Sequence, residues 1–300
     1  MITLAEHQFE LLPTELSTAG VGFGIGLDVS IDQEGWDPGD AEWQVQDSLN
    51  EQRGTRNFGR DVLAGPTHTF AAFVDQDDVD TAVAALETLR TAWLAPAIRD
   101  TPGLMSIMRY RLAGRNRLFY GRPRKFASPP SNRILNGYIP ITMTFDTVNA
   151  LFYEDLASTT TIPYATTSDG GVTFPLTFPV SSLPSGQREG SVYIGGSVAT
   201  YPVIRFNGPI QNPYLTCGSA WTVQLNMTIA SGQYVEVDAR PWKMTVLRNG
   251  LYSEAGSLTR RTRFKDLVLN PGPQEFAFGG TDLGGAPTCT VTWRGAYASL

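Results

Sequence analysis

Tyr201-Pro-Val-Ile-Arg-Phe-Asn-Gly208, Asn212-Pro213, Ala230-Ser-Gly-Gln-Tyr-Val-Glu-Val-Asp238, Asn249-Gly250, Leu269-Asn-Pro-Gly-Pro-Gln-Glu-Phe276 and Thr290-Val-Thr-Trp-Arg-Gly-Ala-Tyr297 follow one another through the end of the chain. Each piece reads as a short strand or a turn. Asn-Gly, Asn-Pro and Pro-Gly steps separate runs rich in β-branched and aromatic residues, which is the pattern of an antiparallel sandwich. In Tyr234–Asp238, Val235 and Val237 take one face while Tyr234, Glu236 and Asp238 take the other, so one side of that strand is expected to be buried. Val291 and Trp293 repeat the arrangement, which turns Trp293 inward.

The order Pro-Val-Ile-x-Phe-x-Gly, Asn-Pro, Gly-x-x-x-x-Val-Asp, Asn-Gly, Leu-x-Pro-Gly and a closing aromatic strand resembles the C-terminal domain of the distal tail proteins, or minor tail proteins, of long-tailed bacteriophages. The likeness covers about the last third of the chain. Asn270-Pro-Gly-Pro-Gln274 departs from it, because the family turn more often carries Asn after Pro-Gly where this chain has Pro273. The resemblance implies a galectin-like sandwich, although no galectin sugar motif is present and fold alone does not carry function.

Three hundred residues suggest two domains, and 42% apolar content is enough to give each a core. The expected fold is mainly β. A β-barrel-like, ring-forming domain is placed over residues 1–156, a linker or crossing strand over 157–169, where Ser158-Thr-Thr-Thr161, Pro163 and Ser168-Asp-Gly-Gly171 lack large apolar residues, and an antiparallel sandwich over 170–300. Thirty glycines and twenty prolines hold helix content down. One helix is expected over about 78–96, where Val79, Ala82, Val83, Leu86, Leu89, Ala92 and Trp93 recur at three- and four-residue spacing behind Asp77-Asp78. The apolar runs are too short to span a bilayer and the first residues have no signal-peptide character, so no membrane anchor is expected.

Gly20, Gly22, Gly24 and Gly26 alternate with Val21, Phe23, Ile25 and Leu27. They miss the sixth-position glycine of a dinucleotide fingerprint and read either as a strand face open to another backbone or as a loop entrance. Ile139, Ile141, Met143 and Phe145 share one strand face, and the sheet that ends there, before the linker, is similar to the end of the ring-forming domain of the same tail family.

Charge is divided unevenly. Residues 1–155 carry 21 acidic and 13 basic side chains, net −8, while residues 156–300 carry 8 and 10, net +2. Thirteen of the acids lie between Asp28 and Asp80, whereas Arg109–Lys125 holds seven basic residues and no acid. The basic stretch reads as a hairpin turning at Ala113-Gly-Arg-Asn116. Alternation sets Met108, Tyr110 and Leu112 on the core face and leaves Arg109 and Arg111 free on the other. These arginines are either a solvated face or, with Arg115 and Arg117, one half of a head-to-tail contact whose other half is the acidic loop of Asp37, Asp40 and Glu42. On the second reading, Arg109→Glu with Arg111→Glu is expected to abolish assembly and leave the monomer folded. Contact of the arginines with DNA in a channel is disfavoured by the negative domain.

Chemistry is hard to place. His7 and His68 are the only imidazoles and no nucleophile elbow accompanies them, Ser181-Ser182 and Ser185 included. The carboxylate pairs Asp28 with Asp32 and Glu236 with Asp238 have spacings that ordinary solvent faces also show. Asp32, Asp37 and Asp40 lack the glycine and terminal Glu of a calcium loop. Cys217 and Cys289 are either a bridge between two strands or two small buried apolar side chains. No catalytic, cofactor or metal residue is assigned. Trp221 and Trp242 are candidate glycan contacts, with core packing as the alternative.

The resemblance implies a non-enzymatic virion protein at the distal end of the tail, made in the host cytoplasm. Its expected partners are further copies of itself in a ring, by resemblance a hexamer, the tail tube protein, the tail hub or tip protein, the tape-measure C-terminus and fibre or receptor-binding proteins, with DNA only in transit. The alternative is a host-surface carbohydrate-binding module.

Overall fold

The computed structural model describes residues 2–50, 54–130, 132–164 and 189–299. They form two compact units, one of Met1–Asp155 with Tyr297–Leu300 and one of Leu156–Ala296. The architecture is mainly antiparallel β, with two sheets in the second unit and a curled sheet in the first.

In the first unit the strands are β1 (Gln8–Leu12), β2 (Val21–Gly24), β3 (Val29–Asp37), β4 (Trp43–Gln44), β5 (Ser48–Asn50), β6 (Thr55–Asn57), β7 (Val62–Leu63), β8 (Thr67–Asp75), β9 (Ser106–Leu112), β10 (Arg115–Ala127), β11 (Tyr138–Thr147) and β12 (Phe152–Glu154). The main sheet runs β2-β1-β9-β10-β11-β8-β3. It curls far enough that rings from its two ends meet inside. Phe23 of β2 lies 5.4 Å from Phe70 of β8, and Phe9 of β1 lies 5.1 Å from Trp36 of β3. Ile139, Ile141, Met143 and Phe145 all face this interior, as their alternation requires.

Helix α1 (Val79–Leu94) covers the interior with Ala82, Leu89, Ala92 and Trp93. The Asp78 carboxylate accepts from the Thr81 N–H at 3.0 Å and so satisfies one of the unpaired donors at the helix start. Ala95, in the left-handed region at φ 42°, ends α1, and Pro96 opens the short α2 (Pro96–Arg99). The alternate glycines permit close approach. A Cβ on Gly20 would lie 2.6 Å from the Leu11 carbonyl, and one on Gly24 would collide with the His7 carbonyl, whereas Gly26 faces open space.

The second unit contains β13 (Ser158–Pro163), β14 (Glu189–Ile194), β15 (Val203–Asn207), β16 (Ile210–Cys217), β17 (Trp221–Gln224), β18 (Thr228–Ile229), β19 (Tyr234–Asp238), β20 (Thr245–Arg248), β21 (Tyr252–Ser253), β22 (Gly272–Asp282) and β23 (Thr288–Trp293). One sheet runs β13-β23-β15-β19-β20-β21; the other runs β14-β22-β16-β17, with β18 on β16. Val235, Val237, Val291 and Trp293 of the first sheet share a core with Leu215, Val223, Phe276 and Phe278 of the second. Asn249-Gly250 makes the tight turn between β20 and β21, both residues having positive φ.

Several expectations need correction here. Of the two readings of residues 157–169, linker or crossing strand, Ser158–Pro163 takes the strand, pairing residue by residue against Thr288–Trp293; Ile162 packs into the core and supplies the apolar anchor that a Thr-rich segment conceals. The rest of the expected linker from 165, the expected domain start at 170, and Ser181, Ser182 and Ser185 lie outside the described residues. Asn212-Pro213 is not a turn between strands. It is a bulge within β16, where Asn212 takes φ 49° and the register with β22 shifts between Gln211 and Tyr214. Asp238 is buried and not on a solvent face, because Arg240 folds back to chelate it at 2.6 to 3.2 Å. Cys217 and Cys289 are free, buried thiols on different sheets, and burial raises both above the ordinary thiol range, Cys217 to about 11.

Candidate functional site

The basic hairpin is present. β9 and β10 pair from Leu112 opposite Arg115 to Ser106 opposite Gly121. Ala113 and Gly114 form the two-residue turn at φ 51° and 73°. Met108 and Tyr110 enter the core as alternation predicts. The opposite face is not left to solvent.

Arg109 and Arg117 are each only 7% exposed. Pairing of β1 with β9 sets Glu10, itself fully buried, directly opposite Arg109. The Arg109 guanidinium donates to both oxygens of Asp155 at 2.6 Å, and also to the Glu10 carboxylate and, at 3.3 Å, to the Ile2 carbonyl. The hydrogen bonds to Asp155 lead the effects that raise its pKa above the ordinary arginine value. Arg117 stands opposite Glu154 in the pairing of β10 with β12. Its guanidinium lies 3.3 Å over the ring of Tyr297, whose hydroxyl donates to Glu154 at 2.9 Å. Asp155 is the last residue before the chain leaves this unit and Tyr297 the first after it returns. Arg117 is paired with Tyr110 and Arg109 with Leu118, so the two arginines lie on opposite faces of the sheet, Arg109 fastening the exit and Arg117 the return.

The expectation that the arginines stand free is thus corrected for Arg109 and Arg117. The physical reason is that distant segments cover each of them separately, the N-terminal residues and Asp155 over Arg109 and Tyr297 over Arg117, and a covered guanidinium must find partners. Arg109→Glu would place a third carboxylate in that cluster, so it tests folding rather than assembly. Arg111 is half-exposed, with its guanidinium 3.7 Å from Glu6, and Arg115 is exposed. Asp37, Asp40 and Glu42 are also exposed, Asp37 accepting from the Gly39 N–H at 2.9 Å.

His68, at the start of β8, is 1% exposed and stacks on Phe119 at 4.2 Å between centroids. Its Nδ1 accepts from Trp36 Nε1 at 3.2 Å, which places the proton of the neutral ring on Nε2. Burial pulls its pKa down to about 4 against a smaller upward pull from Asp37. The ring is a neutral core acceptor at pH 7.

Two exposed features stand out among the described residues of the first unit; sequence reasoning singled out the acids Asp37, Asp40 and Glu42 of one and the basic run of the other, but not the surfaces that present them. One is an arm between β3 and β8: β4 pairs with β7, and β5 with β6, outside the main sheet. It carries Trp43, Val45, Leu49 and Phe58 in the open, Phe58 at 81% exposure. The other is a basic rim at the far end of the hairpin. Arg122 donates to the Leu104 and Thr101 carbonyls, Arg99 caps the end of α1 through the Leu94 and Trp93 carbonyls, and Arg124 pairs with Asp146 at 2.7 Å. Arg90 and Lys125 have no ion-pair partner among the described residues and line an open basin of about 490 Å³ with Phe126 and Pro129. The run Arg122-Pro-Arg-Lys125 was the available signal; the convergence of Arg90 and Arg99 on it was not.

In the second unit Trp221 is a core residue whose Nε1 donates to the Val268 carbonyl at 2.8 Å, so it is withdrawn as a glycan contact. It was drawn inward because that carbonyl satisfies its polar edge. Trp242 is half-buried with the Arg240 guanidinium 5.8 Å from its ring centre. The prominent exposed rings, Tyr193 and Tyr252, lie on different sheets.

No protein-family model matches the sequence, and no curated protein matches it. Among solved structures, the chain is similar to the Dit protein (gp 19.1) of phage SPP1, described as a paradigm of the hub adsorption apparatus in phages infecting Gram-positive hosts. The TM-score is 0.57 at 12% identity, over 96% of this chain and 98% of that one. It is also similar to a chain of the phage p2 baseplate in its activated conformation, in the strontium form (TM-score 0.54, 12% identity, 95% and 97% covered) and the calcium form (TM-score 0.54, 11% identity, 95% and 97% covered). The chain has the Dit-like fold.

Proposed function

We propose that this protein is a structural subunit of a phage tail tip, in which the first units of several copies close a ring. The observation that carries this reading is the extent of the likeness, which runs through both units and nearly the full length of the SPP1 protein. A ring needs two different patches on each copy, and the first unit offers an acidic arm and a basic rim. Six copies are the expected number. The ring joins the tail tube to the hub or tip protein, receives the tape-measure C-terminus, lets DNA pass, and carries fibre or receptor-binding proteins outside. The role is non-enzymatic, in keeping with a His68 committed to the core as a neutral acceptor. Glycan binding by the second unit has lost Trp221 as a contact.

Native mass spectrometry and negative-stain imaging of the purified protein test the ring. Closed six-fold particles are expected. A chain that stays monomeric at every concentration, alone and with tube protein, would refute the proposal.

A further inference from the structure

We propose that the basin walled by Arg90 and Lys125 is the seat for the acidic arm of a second copy of this chain, with Asp40 and Glu42 meeting the two cations and the exposed Trp43 side chain covering Phe126 and Pro129. This rests on the ring reading above and names the pair of surfaces that closes it.

The basin side is positive and unspent. Arg99, Arg122 and Arg124 sit close enough to one another that Arg124 and Arg122, after burial, depress the Arg99 pKa. Arg99 and Arg122 use their hydrogen bonds on neutral carbonyls, so among these cations only Arg124 has a carboxylate, Asp146. Arg90 and Lys125 add two exposed charges. Leu94, 62% exposed on the same helix as Arg90, gives the surface an apolar member.

The arm side is the complement. Asp37, Asp40 and Glu42 lead into β4 in the open, and Trp43 and Val45 follow, both 62% exposed. Large apolar side chains standing free on a two-stranded ribbon are costly to leave in water and are the usual mark of a surface completed by a partner. Opposite charge steers that partner and fixes its orientation. Because arm and basin are different patches, each copy gives one and receives one, which is the head-to-tail arrangement that closes rings. The basin could in principle receive a nucleic acid phosphate backbone; the exposed acid-plus-aromatic arm on the same unit favours the second copy.

The test is a charge swap read by native mass spectrometry and sedimentation velocity. Arg90→Glu with Lys125→Glu reverses the basin, and Asp40→Arg with Glu42→Arg reverses the arm. Each double variant alone is expected to lose at least about tenfold of the assembled fraction, as expected for desolvated charge pairs turned repulsive. An equimolar mixture is expected to regain assembly, since alternating copies then present opposite charges at every contact of an even-membered ring. Thermal melts check folding, and if a reversed variant melts early, the neutral Arg90→Gln with Lys125→Gln variant is read in its place. Variants that assemble like wild type, or a mixture that stays dissociated, overturn the pairing while leaving the ring standing. A wild-type chain that never assembles overturns both. Loss of binding to a DNA oligonucleotide by the basin variant, with assembly intact, assigns the basin to nucleic acid and overturns the pairing.

Discussion

Along the single strand Arg115–Ala127 the same residue type meets two fates. At one end Arg117 is sealed beneath Tyr297, while Arg109, on the opposite face of the sheet, holds two carboxylates; at the other, Arg124 and Lys125 stand in solvent. Regular pairing holds around Arg117, whereas the register against β11 shifts between Pro123 and Phe126 and leaves Arg124 and Lys125 both exposed. The ends also differ in whether another segment of chain lies over the sheet. Where it does, arginine is a structural tie between segments far apart in sequence; where it does not, arginine is a charge available to another molecule. A basic run is therefore an inventory, and coverage decides which of its members can reach a partner.

The comparison breaks most visibly at Arg109. Arg109→Ala leaves Glu10 and Asp155 buried without their cation, and a loss of about 3–5 kcal/mol in urea unfolding is expected. A loss under about 1 kcal/mol would mean that the cluster does not need its arginine. The next largest effect is on pH. His68 has a folded pKa near 4, below its unfolded value near 6.5, so the unfolded chain takes up a proton first as pH falls. Stability contributed by the neutral ring is complete above about pH 6.5 and declines toward pH 4, by about 3 kcal/mol in all. His68→Phe, which keeps the stack on Phe119, should flatten that decline in thermal melts taken across the window.

Tyr297 sharpens the covered end. Tyr297→Ala removes the ring from Arg117 and the donor to Glu154, with an expected cost of about 1–3 kcal/mol, and Tyr297→Phe should recover the part due to the ring. Smallest of all, Arg124→Ala should change stability by no more than about 1 kcal/mol, because its pair with Asp146 is half in water. A cost at Arg124 matching that at Arg109 would erase the distinction between the two ends.

Much of the fold was legible because it depends on local pattern. The helix appeared where Val79 to Trp93 repeat at helical spacing, with Asp78 at its cap. The inward rows Val235 and Val237, Val291 and Trp293, and Ile139 to Phe145 appeared where alternation demands them. Asn212-Pro213 misled because the dipeptide that starts many turns also suits a bulge, and only the register against β22 separates the two. Ser158–Pro163 stayed open between linker and strand because a strand with a single buried apolar residue, Ile162, has little apolar signature of its own.

The candidate surfaces were less legible. The acids Asp37, Asp40 and Glu42 were found by charge density, but the exposed arm that presents them depends on the β4–β7 pairing, which nothing in a short polar stretch announces. Of the basic half, Arg109 and Arg117 are buried, while Arg111 and Arg115 stay open to solvent. Nothing near Arg109 in sequence reveals Glu10, Asp155 or Tyr297, which reach it across 99, 46 and, at neighbouring Arg117, 180 positions.

By itself the sequence determined that this is a mainly β protein with one capped helix, an antiparallel sandwich at the end, and charge of one sign gathered in one segment and the other sign in another. Those properties follow from period, turn chemistry and composition, which act over a few residues. Only the tertiary structure decided which arginines are ties and which are free, that the last residues return to the first unit, and that Trp221 is core. Burial and ion pairing are set by what distant segments bring together, and a charge has no fixed role until its neighbours in space are known.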